Sequence, residues 1–145
     1  SLLGGGGVDG AIHRAAGRKL VFECMTLKGC RTGDAKITGG YNLTARHVIH
    51  AVGPTYKNPD APALLASAYQ RSLEVAVENN IKTIAFPAIS TGIYGYPMGE
   101  ASEIALTTIR DFVQDQATIE HIVIVLFTSD AYDTFCKTFE TLFDI

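Results

Sequence analysis

The sequence predicts an α/β fold, a mostly parallel sheet covered by helices on both faces. Three observations carry that prediction. β-branched runs alternate with helical periodicities along the chain, the order that produces parallel strands joined by helices. The run His121-Ile122-Val123-Ile124-Val125-Leu126-Phe127 is almost continuously apolar, as in a strand buried on both faces. Two glycine-rich loops, one leading into a helix and one between a strand and a helix, mark where such folds hold ligands, beyond the carboxyl ends of the strands.

Taken in order, the chain opens on Ser1-Leu2-Leu3 and four consecutive glycines, Gly4 to Gly7, which run into Val8-Asp9-Gly10-Ala11-Ile12-His13-Arg14-Ala15-Ala16. This predicts a glycine loop and a helix over 8–16, stopped by Gly17. Leu20, Val21, Cys24 and Leu27 share one face of a second helix, 18–26. After a turn-forming stretch, 28–34, Ala35-Lys36-Ile37-Thr38 reads as a short edge strand, and Gly39-Gly40-Tyr41-Asn42 turns the chain. His47-Val48-Ile49-His50-Ala51-Val52 is a strand ending at Gly53-Pro54. Leu65, Tyr69, Leu73 and Val77 form the i, i+4 stripe of an amphipathic helix ending at Asn79-Asn80. Ile81 to Phe86 is a strand entering the second loop, Pro87-Ala88-Ile89-Ser90-Thr91-Gly92-Ile93-Tyr94-Gly95-Tyr96-Pro97, which feeds a helix over 98–114. The strand 121–127 follows. Ser129 or Asp130 is expected to cap the last helix, with Tyr132, Phe135, Cys136, Phe139 and Leu142 on its apolar side.

With 145 residues and neither repeats nor linkers, one domain over 1–145 is expected, large enough for a real core. No strand precedes the first loop, so the domain is expected to lack its N-terminal strands. No run of 18 apolar residues and no charged-then-apolar leader is present, so neither a membrane partner nor export is expected. Three cysteines, Cys24, Cys30 and Cys136, suit reduced thiols and a cytoplasmic location better than a disulfide framework. A net charge of −3 argues against nucleic acid, whose binding rests on neutralising many phosphates. A small anionic ligand held by local dipoles stays open.

Gly5, Gly7 and Gly10 match G-x-G-x-x-G by letter, yet without the preceding strand this is a weak dinucleotide signal, and no Gly-Lys-Ser or Gly-Lys-Thr marks a P-loop. The second loop exceeds the usual two to six residues and pairs glycines with hydroxyls and aromatics. Neither loop contains Lys or Arg, so phosphates would be held by backbone N–H groups and hydroxyls. Asp9 stands out in that setting. As a helix-start acid it gains roughly 0.3–1 kcal/mol from the helix dipole. A carboxylate about 4 Å from a phosphate costs on the order of 4 kcal/mol at an effective dielectric near 20. The repulsion is larger, so Asp9 should point beside the phosphate, where a ribose hydroxyl or a water uses it as acceptor or base. His13, four residues on, shares its helical face, and the two are expected to pair. No third ligand is evident, so no metal is expected. His47 and His50 face opposite sides of their strand and are read as structural.

On both loops together the chain resembles the macrodomain family, in its hydrolytic branch of MacroD-type and bacterial O-acetyl-ADP-ribose deacetylases. The matching stretches are residues 1–17, with Gly4-Gly5-Gly6-Gly7-Val8-Asp9-Gly10; 33–38; 41–43; 47–54, with His50-Ala51-Val52-Gly53-Pro54; and 87–97, with Ser90-Thr91-Gly92-Ile93-Tyr94-Gly95. The resemblance implies a three-layer α/β/α domain with a mixed, mostly parallel sheet, binding ADP-ribose across its carboxyl edge. It assigns Gly5, Gly6, Gly7 and Val8 to the distal ribose and pyrophosphate, Ser90, Thr91, Gly92, Ile93 and Tyr94 to the second phosphate loop, and Phe127 to the adenine. Asp9 takes the hydrolytic position, and Tyr94 shapes that end of the site. The family's Asn-Ala-Ala-Asn stretch and its adenine-reading Asp would both precede Ser1.

The expected activity is hydrolysis of ADP-ribosyl esters, without metal or cofactor: O-acetyl-ADP-ribose, ADP-ribosylated Asp or Glu, or both. The base is either Asp9 or the substrate's own phosphate. The expected partners are ADP-ribose, ADP-ribosylated substrates and ADP-ribosylated proteins. The alternative is a module that reads ADP-ribose without hydrolysing it, and a nicotinamide-dependent oxidoreductase ranks third.

Overall fold

In the computed structural model, which describes Ser1–Ile145, the elements run α1 (Gly7–Ala16), α2 (Arg18–Leu27), β1 (Ala35–Gly39), β2 (His47–Ala51), α3 (Ala61–Glu78), β3 (Thr83–Phe86), α4 (Met98–Val113), β4 (His121–Ile124) and α5 (Ser129–Phe143). β1 and β2 pair antiparallel, with Ala35 opposite Ala51 and Gly39 opposite His47. β3 and β4 pair parallel, with Thr83 opposite His121 and Phe86 opposite Ile124. The mixed sheet is thus present as two two-stranded halves, and its parallel pairing belongs to β3 and β4. α4 supplies the crossover that a parallel pair requires.

Local chemistry sets the element ends. Gly17, at φ 88°, closes α1 and bonds its N–H to the His13 carbonyl. α2 ends at Lys28 in the left-handed region, and Lys36 Nζ donates to the carbonyls of Leu27 at 2.8 Å and Gly29 at 2.7 Å, which the helix end leaves unpaired. α5 is capped by Thr128, not by Ser129 or Asp130. Thr128 is the last extended residue, and its Oγ1 accepts from Ala131 N at 3.1 Å, whereas Ser129 and Asp130 already lie in the helix.

The larger core joins α3, α4 and α5 to β3, with Leu65, Tyr69, Leu73, Phe86, Ala105 and Phe135 at its centre. Burying each large apolar side chain there is worth roughly 1.5–3 kcal/mol. Tyr69 also steers the chain: its hydroxyl donates to Pro87 O at 3.2 Å and accepts from Ile89 N at 3.0 Å, fixing the entry to the second glycine loop. A smaller cluster of Leu2, Ala16, Leu20, Cys24 and Val48 holds α1 and α2 against β2.

The last strand is shorter and more open than its composition predicts. Ile122 and Ile124 pack on the larger core, while Val123 and Val125 are 39% and 60% exposed on the other face. Within Ser1–Ile145, β4 pairs with β3, and Ile122 and Ile124 turn toward the core shared with α4 and α5. Tyr132, expected on the apolar side of α5, is likewise exposed. No helix is long and apolar enough to cross a membrane.

Candidate functional site

The first loop is a backbone structure. Gly4 and Gly7 have φ of 100° and 58°, conformations that favour glycine. The Gly5 carbonyl lies so close to α1 that a Cβ on Gly10 would fall against its oxygen. Leu2, buried in the smaller core, anchors the loop from the other side. No side chain caps α1, and its first intrahelical bond is Gly10 N to Gly6 O, so the N–H groups of Gly7, Val8 and Asp9 remain open at the positive end of the helix dipole. A Cβ on Gly6 or Gly7 would meet nothing within 4 Å, which places these residues on the open side.

Asp9 sits in that first turn with its side chain 47% exposed, Oδ2 beside Gly5 and Oδ1 3.5 Å from His13 Nε2. The expected pair is therefore formed, and the carboxylate stays at the surface of the amide cradle. Behind it His13 is only 12% exposed, wedged against Gly4, with a buried Nε2 that forms no hydrogen bond.

The second loop turns its hydroxyls inward. Ser90 has φ 69°, an unusual conformation for a residue with a Cβ, held by Tyr96 N donating to Ser90 O at 2.9 Å. Its buried Oγ lacks a partner and lies where a Cβ on Gly53 would be. Thr91 Oγ1 donates to Ala88 O at 2.7 Å. Both hydroxyls are drawn into the turn, one by the space at Gly53 and the other by a carbonyl. What the loop offers outward is backbone. Thr91, Gly95 and Tyr96 use their amides within the loop, while those of Gly92, Ile93 and Tyr94 have no acceptor in the chain. A Cβ on Gly92 would also meet nothing within 4 Å. Tyr56 braces the far side: its N–H donates to Tyr94 O at 3.0 Å, its ring packs edge-on against Tyr96 at 5.0 Å, and its hydroxyl donates to Glu100.

β2 brings the loops together. Val52, just past the strand, packs against the smaller core that holds Leu2, and Gly53 receives Ser90, so both loops meet at the carboxyl end of that strand. Because β3 and β4 are parallel, Phe127 leaves β4 at the edge where β3 enters the second loop. Phe127 and Ile93 are wholly exposed, with Val8 52% and Tyr94 44% exposed, an apolar set around two groups of open amides. The arrangement suits an anionic centre with flat or apolar parts on either side. The two loops form a crest at the carboxyl ends of the strands, and two concavities of about 230 and 370 Å³ lie elsewhere, along α4 and α5.

Beneath the crest the fold assembles a group that spacing does not reveal. His50 and Cys24, 7% and 1% exposed, face His13. Cys24 Sγ is 3.8 Å from His50 Nε2, which also meets Thr38 Oγ1 at 2.8 Å. Burial, and secondarily His13, holds the His50 imidazole below its ordinary value, while burial pushes the Cys24 thiol up. His47 stays exposed on the other side of β2, as strand alternation requires.

Comparison with known proteins places these features in a family. The family model described as Macro domain matches residues 1–105. A Macro domain-containing protein of Chlorobaculum tepidum is 54% identical over 139 residues, 94% of this chain and 81% of that protein. The ADP-ribose glycohydrolase MACROD2 of Xenopus laevis is 53% identical over 131 residues, 88% of this chain but 31% of that longer protein. The solved structure of the Oceanobacillus iheyensis macrodomain with ADP superposes with TM-score 0.95 at 40% identity, over 99% of this chain and 80% of that one. The Trypanosoma brucei macrodomain in complex with ADP-ribose superposes with TM-score 0.89 at 43% identity, over 94% and 58%.

Proposed function

The chain belongs to the macrodomain family, and on that premise we propose that it binds ADP-ribose and hydrolyses esters at the distal ribose of ADP-ribosyl substrates. The substrates are O-acetyl-ADP-ribose, ADP-ribosylated Asp or Glu side chains, or both. The observation that carries the reading is Asp9, a half-exposed carboxylate at the lip of a cradle built from amides. The glycohydrolase named among the relatives and the ADP and ADP-ribose complexes among the structural neighbours support the ligand class.

In this reading the amides of Gly7, Val8 and Asp9 and those of Gly92, Ile93 and Tyr94 hold the diphosphate from two sides, with Gly5 and Gly6 leaving room for the distal ribose. Ile93 and Tyr94 cover the phosphates, and Phe127 lies against the adenine. Ser90 and Thr91 act through the shape of the loop. Repulsion keeps Asp9 beside the phosphate, and His13 keeps it in place. A water there attacks the ester, its proton passes to Asp9 or to a phosphate oxygen of the substrate, and the ester splits into a carboxylic acid and a ribose hydroxyl. No resident metal or cofactor enters this scheme. The reading includes a cytoplasmic site of action, supported by three free cysteines.

The test incubates the chain with O-acetyl-ADP-ribose and with a peptide ADP-ribosylated on Glu, following ADP-ribose release by chromatography and ADP-ribose binding by calorimetry. Release from either ester supports the reading. Binding without release makes the protein an ADP-ribose reader.

A further inference from the structure

We propose that His13, Cys24 and His50 form a binding site for a borderline-soft divalent cation, zinc by its fit, beneath the first glycine loop. The ligand atoms of the three side chains all lie within 4.8 Å of one another. Tetrahedral zinc, with bonds of about 2.0–2.1 Å to imidazole and 2.3 Å to thiolate, sets neighbouring ligand atoms roughly 3.3–3.7 Å apart. Cys24 Sγ and His50 Nε2 already stand at 3.8 Å, and the widest separation, at most 4.8 Å, must close by no more than about 1.5 Å, within reach of side-chain rotation.

The cluster is arranged as ligands are. Each residue comes from a different element, α1, α2 and β2, so the fold rather than local sequence sets their meeting. His13 Nε2 is buried without a hydrogen bond, a costly state that a metal bond relieves. One thiolate and two imidazoles select zinc over the hard cations, which prefer oxygen. The fourth position lies toward Asp9, whose Oδ1 is 3.5 Å from His13 Nε2. Binding displaces the Cys24 proton to solvent as the metal–sulfur bond forms, and His50 gives up its contact with Thr38 Oγ1. The site lies beneath the nucleotide crest and borders it at Asp9, and metal binding is independent of the hydrolase reading. Only a consequence for turnover rests on that reading: a bound cation takes His13 away from Asp9.

The test uses the reduced chain and the metal alone. Cobalt(II) should give a thiolate-to-metal charge-transfer band with tetrahedral d–d absorption, saturating at one cobalt per chain, and zinc should displace it. Cys24→Ser should remove the band and weaken zinc binding by at least about 100-fold, beyond the 10- to 100-fold typical of losing an outer-shell partner. His50→Gln should weaken binding while keeping a thiolate band, and Cys30→Ser and Cys136→Ser should leave the spectrum unchanged. Absence of the band in the unsubstituted chain, or its persistence in folded Cys24→Ser, overturns the proposal.

Discussion

Asp9 Oδ1 lies 3.5 Å from His13 Nε2 across one turn of α1, joining an exposed carboxylate to an imidazole sealed beneath the loop. The contact sets the acid beside the imidazole, short of a hydrogen bond. If Asp9 acts on water, Asp9→Ala should lower ester turnover by at least ~10² while ADP-ribose affinity stays within about tenfold. Turnover and calorimetry on the same preparation decide this, and unchanged turnover removes Asp9 from the chemistry.

His13→Ala tests the positioning. Misplacing a reacting group by about 1 Å costs up to 10²-fold, so turnover should fall by roughly 10- to 10²-fold, with binding little changed. A loss confined to affinity would mean that His13 supports the loop and not the acid.

Gly92 borders open space: its φ is not positive, and a Cβ added there would have no atom within 4 Å. Gly92→Glu should therefore keep the melting temperature near that of the unsubstituted protein and weaken ADP-ribose binding by at least about tenfold, because bulk and negative charge enter the phosphate cradle. Intact affinity would show that the loop does not face the ligand.

Gly53 makes the opposite case. A Cβ there falls against Ser90 Oγ, so Gly53→Ala should displace the second loop, costing about 1–3 kcal/mol of stability. Thermal unfolding and ADP-ribose titration should both register the change.

His50 predicts a pH dependence of stability. Burial holds its pKa below the ordinary 6.5, so the unfolded chain takes up this proton first as pH falls. The stabilisation is complete above about pH 6.5 and is lost as pH falls toward the lower folded-state value. Melting temperatures from pH 7.5 to 5 should decline, and His50→Asn, less stable at neutral pH, should decline less steeply.

Much of the candidate site is legible in sequence because it is local. The run Gly4 to Gly7 before a helix specifies open amides wherever the domain places it, and Asp9 and His13 meet because four residues make about one helical turn. The hydroxyls of Ser90 and Thr91 are not legible in this way. Their direction depends on Gly53, from another strand, and on the Ala88 carbonyl. Tyr69 gives no sign beyond its place in an apolar stripe, yet its hydroxyl fixes the loop entry at Pro87 and Ile89.

The sequence by itself determined the alternation of helices and strands, the two glycine loops and the acid at the helix start, since periodicity and backbone freedom act over a few residues. Tertiary structure alone decided that both loops meet at the end of β2 and that Cys24 and His50 close around His13. Those outcomes depend on which surfaces pack together, and packing joins residues whose separation along the chain carries no signal.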